Sequence, residues 1–93
     1  MDRERIVITG MGAVTPVGIG VKTFWENLIK GECGVGTITH FDTSDTIVKI
    51  GAQVKGFEPT NYMPKKLVRE MDVFMQYAYA SAEEALADSG IEI

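Results

Sequence analysis

The run Ile6-Val7-Ile8-Thr9 constrains this chain more than any other feature. It is β-branched and almost uniformly apolar, the composition of a strand buried on both faces, and Gly10-Met11-Gly12 ends it in a tight turn. Such a strand belongs in a parallel sheet, whose edges and faces must all be covered, and a βαβ crossover normally brings the next strand alongside. The far end of the chain is one long helix that closes at Asp88-Ser89-Gly90, and only Ile91-Glu92-Ile93 follow. The crossover is begun and no partner strand comes after it. The expectation is an α/β fold of which residues 1–93 form the front end and no complete domain.

Composition narrows the class. Hydrophobic residues make up 45% of the chain and charged residues 24%, ordinary globular values that argue against disorder. The net charge of −4 argues against a nucleic-acid binder, which is usually basic. A single cysteine excludes an internal disulfide and any paired-cysteine metal site, and fits a reducing compartment. No apolar stretch after the first residues has the form of a secretory signal, and no run approaches a membrane span. A soluble, cytoplasmic segment with no membrane partner is expected.

Between its two ends the chain is punctuated. Thr23-Phe24-Trp25-Glu26 matches a capping box and predicts a short helix with Phe24, Trp25, Leu28 and Ile29 on its apolar face, ended by Gly31 in the left-handed conformation. Residues 31–46 read as loop and residues 47–54 as a short strand weakened by Gly51. Pro59 and Pro64 keep residues 55–64 irregular. Beyond them Leu67, Met71, Phe74, Ala78, Ala82, Ala85 and Leu86 recur at helical spacing and predict one apolar face. Met71-Asp72 marks a break between a short basic turn and a main helix over residues 72–89. The small side chains at 78, 80, 81, 82 and 85 would let another element approach closely.

Few of the motifs carry chemistry. Gly10-x-Gly12 after a strand suggests dinucleotide binding, but Thr15 stands where a third glycine is needed and Pro16 delays the helix. Gly20-Val21-Lys22-Thr23 has valine where a phosphate loop needs glycine. Cys33 follows a helix C-terminus and a glutamate, and both disfavour a thiolate, so it reads as a small structural residue. His40 is the sole histidine, which leaves no histidine pair for a metal. Glu83 and Glu84 point apart on a helix, and Glu84 and Asp88 read as a solvated face. Lys65 and Arg69 share a helical face with Lys66 beside them, and Glu70 can partly offset their charge. This cluster reads either as a solvated face or as a docking patch for an acidic partner, one that would govern capture and orientation more than affinity.

Taken in order, several segments resemble one family. They are Val7-Ile8-Thr9-Gly10-Met11-Gly12-Ala13-Val14-Thr15-Pro16-Val17-Gly18, Phe24-Trp25-Glu26-Asn27-Leu28, Gly34-Val35-Gly36-x-Ile38-Thr39-x-Phe41-Asp42-Thr43-Ser44, Lys65-Lys66-x-x-Arg69-x-Met71-Asp72-x-Phe74-x-Gln76-Tyr77-Ala78 and Ala85-Leu86-x-Asp88-Ser89-Gly90-Ile91. The set resembles the N-terminal segment of β-ketoacyl-acyl-carrier-protein synthases, most closely the type II enzymes, along nearly the whole chain. The resemblance implies the N-terminal part of a thiolase-like αβαβα layered fold, with residues 1–93 in the first of two repeated halves. It implies a homodimer and an acyltransferase that extends acyl chains by decarboxylative Claisen condensation in fatty-acid synthesis, with no metal or nucleotide cofactor. The family's acylated cysteine and two histidines lie downstream, so no catalytic residue is expected among these, and Cys33 and His40 take no such role. Relatives commonly have serine at the position of Cys33. Lys65, Lys66 and Arg69 resemble part of the surface that receives the acidic acyl carrier protein, while Glu70 departs from the basic residue that relatives often place there. The competing readings are a stand-alone module that holds an acidic partner and a nucleotide-binding half-domain. The condensing-enzyme reading alone predicts exposed apolar surface on residues 6–9 and on the long helix.

Overall fold

A computed structural model describes residues 3–92. Two short antiparallel hairpins and three helices succeed one another in chain order: β1 (Val14–Thr15), β2 (Gly18–Ile19), α1 (Val21–Lys30), β3 (Val35–Thr37), β4 (Ile50–Ala52), α2 (Lys65–Glu70) and α3 (Val73–Ser89). A single 3-10 turn, Pro59–Asn61, lies between β4 and α2.

Residues 6–9 form no β ladder among the described residues, and their side chains are open, Ile6 at 96% and Ile8 at 84% exposure. The expected buried strand is therefore not realised within these residues. A strand of this composition needs hydrogen-bonding neighbours on its edges, and the described strands pair only within their own hairpins, β1 with β2 and β3 with β4.

Residues 10–13 are anchored to α3 instead. The Met11 N–H donates to Asp88 Oδ2 at 3.1 Å and the Ala13 N–H to Glu84 Oε1 at 2.9 Å. A Cβ added at Gly10 would overlap the Ala85 carbonyl oxygen, and one at Gly12 that of Ser81. Only glycine lets two backbones meet this closely. The segment thus runs antiparallel to α3, two of its residues matching four of the helix. The match is metric: two extended residues span about 6.6 Å and four helical residues about 6 Å. Glu84 and Asp88, expected on a solvated face, are the side chains that hold this segment.

Helix α1 begins earlier than the capping-box reading placed it. Its first residue is Val21 after Gly20, and no residue at its own start supplies a side-chain cap. Glu84 Oε2 accepts the Val21 N–H at 2.9 Å, so the cap comes from 63 residues away in sequence. A carboxylate there also faces the positive end of the helix dipole. The other end matches expectation. Gly31 is left-handed (φ 76°), with the N–H groups of Gly31 and Glu32 closing on Leu28 and Asn27 as in a Schellman motif. Asn27 Nδ2 donates to the Val17 carbonyl at 2.6 Å and ties α1 to the first hairpin, whose two-residue turn is Pro16-Val17.

The strand expected over residues 47–54 contracts to Ile50–Ala52 and pairs with Val35–Thr37, inside the stretch expected as loop. Gly36 lies opposite Gly51, a pair with no side chains to contribute, which is why β3 carries little strand signal. Gln53 binds across the end of the hairpin: its Oε1 accepts the N–H groups of Thr39 and His40, and its Nε2 donates to the Thr37 carbonyl.

The break at Met71-Asp72 is real. Met71 is extended (φ −115°, ψ 134°) and α3 starts at Val73. The apolar face predicted for α3 meets the rest of these residues only in part, where Ala85 abuts Gly10 and Ala82 borders a groove beside residues 10–13. Phe74 is 70% exposed and Ala78, Ala82 and Leu86 are also exposed, whereas Gln76 and Ala80 are buried. The two stripes are two residues, or about 200°, apart on the helix. The buried side makes its contacts through the polar Gln76, Glu84 and Asp88, so periodicity in apolar residues does not find it. The small buried centre is Met63, Ala80 and Gln76. Phe57 lies beside it, stacked on Tyr62 (5.6 Å) and edge-on to Tyr77 (5.0 Å).

Substitutions at two positions test this account in the intact protein by chemical denaturation. Glu84→Leu strands two N–H groups and is expected to cost about 3 kcal/mol, with Glu84→Gln recovering roughly half because one amide oxygen can accept from only one side. Gly12→Ala, which drives a methyl into the α3 backbone, is expected to cost about 3 kcal/mol. Wild-type stability for either variant would overturn the anchoring role of α3.

Candidate functional site

Lys65, Lys66 and Arg69 all lie on α2 and all are exposed. The sequence builds this helix between two stops. Pro64, in extended conformation (ψ 152°), sets its start and accepts the Val68 N–H at 3.2 Å, and Met71 ends it. Positions 65 and 69 are one helical turn apart and 66 and 69 are three residues apart, so the three cations present one positive surface. On a chain of net charge −4 this is a local field of opposite sign, suited to attracting an acidic surface over roughly a Debye length of about 8–10 Å.

A buried amide supports this helix from beneath. Gln76 Nε2 donates to the carbonyls of Val68 and Met71, each at 3.2 Å, across the link between α2 and α3. Sequence reasoning alone does not single out Gln76. A signal was available, since it continues the spacing of Ala80, Glu84 and Asp88 along the side that carries the long-range contacts.

The other candidates do not converge. Cys33 is exposed, and its Sγ lies 3.9 Å from the Val35 carbonyl, a weak local contact. His40 lines an open cleft of about 690 Å³ together with Lys55, Glu58, Gln76 and Tyr77. The Asp42 carboxyl nearby is held below its ordinary range, chiefly by the Ser44 backbone N–H at 3.0 Å and then by the Ser44 hydroxyl. Among the described residues no group of three His, Cys, Asp or Glu side chains is placed to hold a metal ion, and no helix is long and apolar enough to cross a membrane. A second, largely apolar groove of about 950 Å³ runs between residues 10–13, α1 and α3, past Phe24, Trp25 and Ala82.

Comparison with known proteins places this geometry. A family model described as "Beta-ketoacyl synthase, N-terminal domain" matches residues 3–93. The chain is 44% identical over 93 residues to 3-oxoacyl-[acyl-carrier-protein] synthase 2 of Vibrio cholerae, covering 100% of this chain and 22% of that protein. It is 44% identical over 92 residues to the protein of the same name from Staphylococcus aureus, covering 99% of this chain and 22% of the relative. The chain thus spans about a fifth of the length of the curated relatives it matches. A solved structure, the ishigamide ketosynthase/chain length factor, superposes with a TM-score of 0.86 at 33% identity, over 98% of this chain and 23% of the other. The expected thiolase-like α/β architecture is thereby met for its N-terminal part, and the chain belongs to the beta-ketoacyl synthase family, within its N-terminal domain.

Proposed function

We propose that these residues are part of a 3-oxoacyl-acyl-carrier-protein synthase, an acyltransferase that elongates fatty acids by decarboxylative Claisen condensation. The observation that carries this reading is 44% identity along the entire 93 residues to synthases of that name. In the proposed reaction the thiol of a cysteine outside these residues attacks the carrier-bound acyl thioester, taking the acyl group as a new thioester and releasing the carrier's thiol. Malonyl-carrier protein then loses carbon dioxide, and the resulting carbanion attacks the thioester carbonyl and releases the cysteine. Residues 1–93 are read as the N-terminal segment of the first thiolase-like half, with no complete domain of their own. The exposed apolar side chains of residues 6–9 and of Phe74 and Leu86 support that reading over a stand-alone module, because the remainder of a larger domain would cover them. A cytoplasmic homodimer is part of the same proposal.

The role left to these residues is recognition. Lys65, Lys66 and Arg69 are proposed to receive the acidic acyl carrier protein. Their exposure on one short helix supports this, as does the charge contrast with the rest of the chain. Reversing both charges (Lys66→Glu with Arg69→Glu) in the intact enzyme is expected to raise KM for a carrier-bound substrate by about tenfold at low salt and less at high salt, with kcat nearly unchanged. Unchanged capture kinetics at low salt would remove the docking assignment. Cys33→Ser is expected to keep kcat within about twofold of wild type, because among the described residues the hydrogen-bond contact of its Sγ is the Val35 carbonyl and not a base. Loss of activity in that variant would make Cys33 a candidate nucleophile again.

A further inference from the structure

Gln76 is the only buried polar side chain among the described residues, at 8% exposure. Leucine or methionine would fill its volume without the cost of desolvating an amide, so what the amide adds is its two hydrogen bonds. Both go to the C-terminal end of α2, where helix carbonyls have no partner of their own. Helix α2 has six residues, far too few to hold its shape or direction unaided. It joins α3 through the two-residue link Met71-Asp72, and the Gln76 amide bridges that link from the α3 side. One accepted bond, at the Val68 carbonyl, sits between Lys66 and Arg69 in sequence.

We propose that Gln76 is a positioning residue for carrier docking, locking α2 onto α3 so that Lys65, Lys66 and Arg69 project in a fixed direction. The proposal rests on the docking reading above. Long cationic side chains lose conformational freedom on binding, and a rigid base under them reduces what must still be ordered. Without the amide, the three charges remain but their common platform swings about the link. Capture then weakens while chemistry on a substrate that never touches α2 proceeds as before.

The test uses the intact enzyme carrying Gln76→Met, which keeps the volume and removes the donor. KM and kcat are measured with a carrier-bound acyl thioester and with a small thioester of the same acyl group. The expected result is a rise of about fivefold in KM for the carrier-bound substrate, with both constants for the small thioester within about twofold of wild type. An equal loss on both substrates would mean a general structural role and overturn the proposal. If the Lys66→Glu, Arg69→Glu variant raises the carrier KM and Gln76→Met does not, docking stands and the positioning role falls. If charge reversal itself has no effect, it is the docking reading that fails. Should Gln76→Met not fold, amide hydrogen exchange in the wild type decides: rates at residues 68–70 within about tenfold of those at 76–79 support the lock, and unprotected amides at 68–70 overturn it.

Discussion

The described residues hold together through two carboxylates on one side of a helix. Glu84 and Asp88 stand one turn apart on α3 and accept backbone N–H groups that would otherwise have no partner: those of Met11, Ala13 and Val21. In a sheet these N–H groups would be met by the carbonyls of a neighbouring strand. Here side chains take that place, and the helical repeat of four supplies the spacing that a strand repeat of two requires. Charged acceptors make each bond stronger than a neutral one. Glu84 contributes most because its two oxygens serve two elements, binding residue 13 and the start of α1 at once. The glycines at 10 and 12 belong to the same arrangement, since any side chain there would hold the backbone away from α3 and out of reach of the carboxylates.

With the N-terminal segment and α1 fastened to its C-terminal half, α3 supports α2 at its other end. A buried amide does there what the carboxylates do further along, satisfying backbone groups of a neighbour that cannot satisfy them itself. One 17-residue helix therefore sets the position of the first hairpin, of α1 and of the basic helix. The proposed recognition surface gains its direction from this support and its field from three exposed cations. Rigidity and charge come from different residues, so they can be varied separately.

Much of this was legible in the sequence, and the remainder was hidden for identifiable reasons. Gly31 and Gly90 end α1 and α3 in the left-handed conformation because few other residues tolerate it, so local chemistry is enough to find helix ends. The break at Met71-Asp72 is legible locally too, although Met71 ends α2 in an extended and not a left-handed conformation. Thr23 and Glu26 suggested a start for α1 that a distant carboxylate overrides, and no local rule contains residue 84. Strand β3 is not legible because Gly36 interrupts two good strand formers, Val35 and Thr37, and the segment gains its pairing only from Ile50-Gly51-Ala52. The apolar stripe of α3 is legible as a pattern and one edge of it meets residues 10–13, but the contacts made by Gln76, Glu84 and Asp88 are not, because those side chains are polar and act through hydrogen bonds. The family resemblance was readable throughout because it depends on the order of many short segments and not on any one of them.

The two-sidedness of α3 has a consequence for how the gene can vary. Positions 76, 80, 84 and 88 are committed to partners within these residues, and positions 74, 78 and 86 carry exposed apolar side chains, with Ala82 among them bordering the groove beside residues 10–13. The two sets alternate along the even-numbered positions of the helix, so a substitution at any of these acts on one side or the other. Changes in the first set should be compensated by changes at residues 10–21 and 68–71, and changes in the second set should be compensated elsewhere. Covariation along α3 would then alternate between two independent groups of sites with a period of four, as in a wall whose two faces belong to different rooms.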